Sequence, residues 1–149
     1  MKIYIGADHN GFEYKAQLVK ALRLAGHEVV DEGDVSINPD DDYPQFAGKV
    51  VSAMLADKDP GVRGILVCGS GQGMCMAANR FKGIRASLCW NVAEARAARN
   101  DDDSNILCLS ARYLSLEESG SIMATFLATP FAGAPRFVRR IEQLDTLTP

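Results

Sequence analysis

An apolar run, Gly64-Ile65-Leu66-Val67-Cys68, leads without a break into Gly69-Ser70-Gly71-Gln72-Gly73 and then into an alanine-rich segment of helical spacing. Strand, glycine turn and helix in that order is the unit of a parallel sheet, because a parallel neighbour is reached only by a crossover over the sheet face. The glycines let the backbone turn tightly and aim several N–H groups into one small volume. The positive end of the following helix adds to the same spot, so a cysteine at the lip of the loop is placed where its thiolate is stabilised. The pattern points to chemistry on a small anionic substrate. Two plainer readings stand beside it: a turn that only lets a helix pack close to its sheet, and a cysteine serving as a small apolar residue.

The loop also excludes chemistry. A cysteine-dependent phosphatase loop ends in an arginine, and Met74 stands there. A P-loop ends in Gly-Lys-Ser/Thr, whereas this one ends Gly73-Met74-Cys75. No Cys-x-x-Cys pair is present, which argues against dithiol redox catalysis. The net charge of −3 contains no basic run, so a nucleic-acid or anionic-membrane partner has no electrostatic support. Cys68, Cys75, Cys89 and Cys108 lie in or near apolar runs and read as reduced thiols of a cytoplasmic protein. The sequence opens directly on the β-like Lys2-Ile3-Tyr4-Ile5 with no signal-peptide pattern, and no apolar stretch reaches membrane-spanning length.

Strand and helix patterns alternate along all 149 residues, with no repeat or linker, and predict one domain with a C-terminal arm from about residue 130. Strands are expected at Ile3–Ala7, His27–Asp31, Ile65–Cys68, Ile84–Cys89 and Asn105–Leu109. Helical spacing places Phe12, Leu18, Val19 and Leu22 on one face up to Gly26, a C′ glycine. Asp40-Asp41-Asp42-Tyr43-Pro44 suits a helix start, with Phe46, Val50, Val51, Met54 and Leu55 as that helix's buried stripe. Further helices are expected at Gln72–Phe81, Val92–Arg99 and Leu116–Leu127, and a last one from Arg136 after a Thr129–Pro135 hinge. The result is a Rossmann-like three-layer α/β sandwich with a five-stranded parallel sheet in the order 2-1-3-4-5. Ligands bind such sheets beyond the strand C-termini where the order reverses, here between the first and third strands. Asp8-His9-Asn10-Gly11 leaves one and Cys68–Gly73 the other, so two chemically capable loops converge.

The segments Gly6-Ala7-Asp8-His9-Asn10-Gly11-Phe12, Asp42-Tyr43-Pro44, Cys68-Gly69-Ser70-Gly71-Gln72-Gly73 and Ala77-Ala78-Asn79-Arg80 together resemble the type B ribose-5-phosphate isomerases, a family that includes galactose-6-phosphate isomerase subunits. The likeness extends to Gly83-Ile84-Arg85-Ala86, Asn105-Ile106-Leu107 and the arginine-bearing C-terminal helix. It implies interconversion of an aldose phosphate and a ketose phosphate through a cis-enediolate, with no metal or organic cofactor. Cys68 matches the proton-abstracting cysteine. A free thiol is only a few per cent ionised at neutral pH, so the base needs electrostatic help. The backbone N–H groups of Gly69, Ser70, Gly71, Gln72 and Gly73 match the enediolate-stabilising loop, where one donor is typically worth roughly 3–4 kcal/mol. The Ser70 hydroxyl either adds a hydrogen bond there or makes a local turn bond. Asp8 and His9 match a pair that contacts the sugar or its phosphate; Tyr43 matches a position near the sugar, or packs on the core. Arg112, Arg136 and Arg140 match the phosphate ligands, and Arg136 and Arg140 share one face of the last helix. The resemblance further implies a homodimer or dimer of dimers whose sites are shared, the last helix reaching a neighbouring subunit. His27 is expected at the surface or a sheet edge.

Two departures stand out. Where the family carries a His-Asn pair before the fifth strand, with the His proposed to open the sugar ring, this chain has Asp101 and Asp102. An ordinary carboxyl is a poor acid at neutral pH, although acidic neighbours raise its pKa; otherwise the run is a solvated turn. Phe137 replaces a residue that is polar in some relatives. Both changes suggest a different sugar, such as a tetrose 4-phosphate that closes no ring, or a six-carbon sugar phosphate. They also leave open a noncatalytic sugar-phosphate-binding subunit on the same fold.

Overall fold

Ile3, Ile5, Ile65, Leu66, Ile106, Leu107 and Leu109 are fully buried, as strands covered on both faces must be. The structure, a computed structural model, describes residues 1–147; Thr148 and Pro149, the tip of the expected arm, lie outside the described residues. The elements run β1 (Lys2–Ala7), a short 3-10 turn (His9–Gly11), α1 (Phe12–Leu24), β2 (Glu28–Asp31), α2 (Tyr43–Ala56), β3 (Arg63–Cys68), α3 (Gln72–Ala78), β4 (Ala86–Leu88), α4 (Val92–Asn100), β5 (Ile106–Ser110), α5 (Leu116–Ala128) and α6 (Pro135–Leu144). All strands pair in parallel, and helices cover both faces of a single α/β domain.

The strand order is β2-β1-β3-β5-β4, which corrects the expected 2-1-3-4-5. Burial explains the exchange: every residue of β5 is buried, whereas β4 has shrunk to three half-buried residues. The continuous apolar run belongs in the middle of the sheet and the short mixed one at its edge. Crossovers are right-handed, so steps towards opposite edges place their helices on opposite faces. The steps β1→β2 and β4→β5 share a direction, and Leu18 and Leu22 of α1 accordingly share a core with Ala95 and Ala98 of α4 and with Phe126 of α5. On the other face lie Phe46, Val50, Val51 and Met54 of α2 with Met74 and Ala78 of α3. Leu55, expected in that stripe, is 54% exposed.

The helix ends follow local chemistry. Gly26, at φ +84°, closes α1 as the expected C′ residue, with the His27 N–H donating to the Leu22 carbonyl at 3.1 Å. Ser115 and Glu118 form a reciprocal capping box on α5. Helix α3 stops at Ala78 rather than Phe81, because the Arg80 and Phe81 amides turn to carbonyls three residues back, Ala77 and Ala78. Helix α6 buries only Phe137. No helix among the described residues is long and apolar enough to cross a membrane.

The new order has a functional consequence. The helices leaving β1 and β5 lie on one face, and the helix leaving β3 lies on the other. The end of β3 therefore has a topological switch point on each side, where a single one was expected.

Candidate active site

Cys68 is the last residue of β3 and is 5% exposed. Beyond it the chain is fixed from the β5 side: the Cys68 carbonyl accepts the Ala111 N–H at 3.0 Å, and the Gly69 carbonyl accepts the Ser110 hydroxyl at 2.7 Å and the Arg112 N–H at 3.1 Å. The backbone then doubles back through Gly71, at φ +78°, whose N–H donates to the Cys68 Sγ at 3.1 Å. Such an N–H···S contact strengthens as the sulfur gains negative charge. A side chain at Gly71 is excluded twice, by the left-handed backbone and because a Cβ would fall 2.5 Å from Leu88 Cδ1 and 3.1 Å from the Leu109 carbonyl. At Gly73 a Cβ would strike the Tyr43 ring at 2.9 Å. The half-exposed Tyr43 thus lies across the first turn of α3, joining the DYP segment to the loop. The Ser70 hydroxyl accepts the Gln72 N–H at 3.4 Å, a local turn bond.

The exit of β1 packs against this loop. Gly11 is so close to Val67 that an added Cβ would meet its carbonyl oxygen at 2.9 Å. Asp8 caps the 3-10 turn, its Oδ1 accepting the Gly11 N–H at 3.1 Å, and burial pushes its carboxyl upward in pKa. His9 projects beyond it. Its Nδ1 donates to Asp41 Oδ1 at 2.7 Å, and that bond holds the imidazole above its ordinary range. Its Nε2 lies 2.8 Å from the Asn10 amide nitrogen. Asn10 and the Arg112 guanidinium both lean on Gly69: a Cβ placed there would touch Arg112 Nη2 at 3.4 Å and Asn10 Cβ at 3.6 Å. Arg112 reaches the loop because β5, not β4, neighbours β3.

Cys68, Gly69, Ser70, Gly71, Gln72, Gly73, Asp8, His9, Tyr43 and Arg112 thus share one rim. Asp101, Asp102, Arg136 and Arg140 do not join them within this chain. Asp101 and Asp102 precede β5, at the end of the sheet where Gly64 pairs with Ile106, whereas Cys68 pairs with Ser110. Four residues of strand separate the two rims by about 13 Å. Asp101 ends α4 and accepts the Asn100 side-chain amide at 2.7 Å. Asp102 and Arg140 line a groove of about 470 Å³ with Ile141 and Leu144. Arg136 is exposed, its guanidinium 4.7 Å from the Phe137 ring centre. His27 also sits on this far rim at the start of β2, half-buried, with an unpartnered Nδ1.

The four cysteines are free thiols. Burial pushes Cys89 up to about 12 and Cys108 well above the ordinary range, while a hydrogen bond with Cys108 draws Cys75 below it. No cluster of three or more His, Cys, Asp or Glu side chains among the described residues is arranged to hold a metal ion. Three polar residues of the rim escaped the sequence reading. In the sequence Asp41 belongs to a helix start, Asn10 to the segment after the first strand, and Ser110 to no motif. Asp41 and Ser110 make contacts 32 and 41 residues away, which no local spacing marks, whereas Asn10 adjoins His9 and Asp41 adjoins Asp42-Tyr43-Pro44, the two signals the sequence offers.

A sequence model of the Ribose/Galactose Isomerase family matches residues 3–144. Ribose-5-phosphate isomerase B of Mycobacterium leprae is 38% identical over 144 residues, covering 97% of this chain and 88% of the relative. The crystal structure of a ribose 5-phosphate isomerase from Thermotoga maritima superposes with a TM-score of 0.92 at 44% identity, covering 98% of each chain. That of ribose-5-phosphate isomerase B from Mycoplasma genitalium, solved with bound ribulose-5-phosphate, gives 0.91 at 38% identity over 97% of this chain and 94% of that one.

Proposed function

The chain belongs to the ribose/galactose isomerase family, and from that membership we propose that it interconverts an aldose phosphate and its ketose phosphate, of the ribose 5-phosphate and ribulose 5-phosphate kind. The observation that carries the reading is the Cys68 sulfur under the Gly71 N–H, on a loop flanked by Asn10, the neighbour of His9, and by Arg112. With the sugar in open-chain form, the Cys68 thiolate takes the proton from C2 and the C–H electron pair forms the C1–C2 double bond of a cis-enediolate. O1 gains a proton, O2 loses one, and the Cys68 thiol returns its proton to C1, giving the ketose and restoring the thiolate. Backbone N–H groups of the 69–73 loop stabilise the enediolate oxygens. His9 and Arg112 take the phosphate, and Asp8 and Tyr43 line the sugar.

The far-rim residues enter through a second copy. In a homodimer, Asp101, Asp102, Arg136 and Arg140 of the partner subunit complete each site, with α6 as the reaching arm. The free thiols suit a reducing, cytoplasmic setting.

Solvent deuterium appearing at C1 or C2 of the sugar phosphate tests the reaction. Binding without exchange would identify a noncatalytic subunit instead. One observation favours a narrower substrate: the chain has only two histidines, one paired to Asp41 and the other on the far rim, and aspartates occupy the ring-opening position. A tetrose 4-phosphate has no ring to open. Turnover of ribose 5-phosphate, hexose 6-phosphates and tetrose phosphates should be compared; strong preference for the cyclic pentose rejects the tetrose reading while keeping the isomerase.

A further inference from the structure

Asp41 has no part in the chemistry above, yet it is the closest partner of His9. Its side chain is only 7% exposed while its Oδ1 accepts the His9 Nδ1–H; a carboxylate so buried at the end of a surface loop calls for a cation. The other end of that loop is tied as well. Buried Lys15 donates to Asp31 Oδ1 at 2.7 Å and to the Asp34 carbonyl at 3.3 Å. Between the ties Val35 is 98% exposed and Ile37 is 50% exposed, so polar contacts rather than apolar packing bring Asp41 to the ring. Across the imidazole, Asn10 leads to Gly69 and Arg112.

We propose that Asp41 is a positioning residue for His9: by accepting the Nδ1–H it favours the protonated ring and turns Nε2 towards Asn10 and the glycine loop, where Nε2–H meets the substrate's phosphate beside Arg112 once the Asn10 amide turns its oxygen to the ring. The identity of the anion rests on the isomerase reading; the pairing rests on geometry alone. Asn10 suits this arrangement, because its amide offers an oxygen to an imidazolium or an N–H to a neutral ring. The charges around the ring are Asp41 and Asp40 from the loop and Asp8 from its own turn, with Arg112, from the segment after β5, beyond Asn10 against Gly69. Three carboxylates against one guanidinium favour the cation. A phosphomonoester becomes a dianion above about pH 6, so tight binding begins there and fades as pH rises through the His9 midpoint. Removing the Asp41 charge brings that fading to lower pH.

The chain's two histidines make this measurable on the intact protein, since burial holds His27 below its ordinary range while His9 lies above. In an NMR pH titration, Asp41→Asn should lower the His9 midpoint by about one unit and leave His27 unmoved, and Asp41→Glu should restore it. Above neutral pH, KM for ribose 5-phosphate should rise about tenfold in Asp41→Asn with kcat changed far less. An unmoved His9 midpoint overturns the pairing whether or not the chain is an isomerase, because no substrate is involved. A lowered midpoint with KM and its pH profile unchanged overturns the positioning role. If no sugar phosphate is turned over, the isomerase reading fails separately, and inorganic phosphate becomes the probe. Weaker phosphate binding by Asp41→Asn then supports the role, and equal binding overturns it.

Discussion

Where β1, β3 and β5 end, a thiol receives a backbone N–H, an imidazole is held beside an amide, and Arg112 makes no ion pair among the described residues. Where the same strands begin, polar groups satisfy one another. Asp103 accepts Arg85 Nη2 at 2.8 Å and Arg99 Nη1 at 2.7 Å; Arg99 also donates to the Ser104 carbonyl at 2.6 Å, and Arg85 Nε donates to the Asp102 and Asp103 carbonyls at 3.0 Å. Lys2 and Tyr4 both donate to Asp57 Oδ2 at 2.8 Å. The contrast separates two uses of charge. Networks that close on themselves fix a fold, whereas donors left open beside the Cys68 thiol are free to take a ligand.

The sharpest way to break the contrast is Cys68→Ala. A positioned general base contributes roughly 10²–10⁴ in rate, so turnover should fall by about that much while sugar-phosphate binding and thermal stability stay near wild type; retained turnover would reject Cys68 as the base. The matching lesion on the far rim, Asp103→Ala, should act on stability. It removes the ion-pair partner of Arg99, which is 4% exposed, and should cost about 3 kcal/mol in denaturant unfolding, the low end for a broken buried pair because Ser104 still accepts. Asp103 also stands at φ +45°, so Asp103→Gly should be the milder change; a reversed ranking would show that the backbone strain there is not felt. Gly71→Ala lies between the two uses. The left-handed backbone and the Leu88 contact should cost about 1–3 kcal/mol, with a further loss of turnover as the Gly71 N–H leaves the sulfur.

Acid and base should distinguish the rims with smaller effects. The Asp57 carboxyl is held well below its usual range, first by the Asp59 backbone N–H and then by Lys2. Its contribution is therefore present above the unfolded carboxylate pKa and lost only as pH falls through the lowered one. His9 is raised, so its pairing contributes fully below the ordinary imidazole range and is lost as pH rises through the higher value. Melting curves of Asp57→Asn and Asp41→Asn against wild type should thus converge in strong acid for the first and in alkali for the second. Parallel curves across pH would reject either assignment.

Much of this molecule was written in runs of neighbouring residues. Alternating apolar strands and amphipathic helices required a parallel sheet, Gly26 marked the close of α1, and Cys68–Gly73 marked the tight turn from strand to helix, because strand, cap and turn each depend on side chains a few positions apart. Strand order was not written there in the same way. That β5 lies inside β4 depends on which run buries more surface in the assembled sheet, although the unbroken Ile106-Leu107-Cys108-Leu109 against the mixed Arg85-Ala86-Ser87-Leu88 was a legible hint. From that order follow the second switch point beside β3 and the approach of Arg112 to Gly69, whereas Asp101 and Asp102 lie on the far rim simply because they precede a parallel strand.

The linear chain by itself determined that a thiol ends an apolar strand and is followed at once by a glycine turn whose Gly71 N–H meets it, since those groups come from consecutive residues. Only the folded structure decided which charges surround it, because Asp41 meets His9, and Arg112 meets Gly69, through packing energies summed over the whole sheet rather than through any spacing along the backbone.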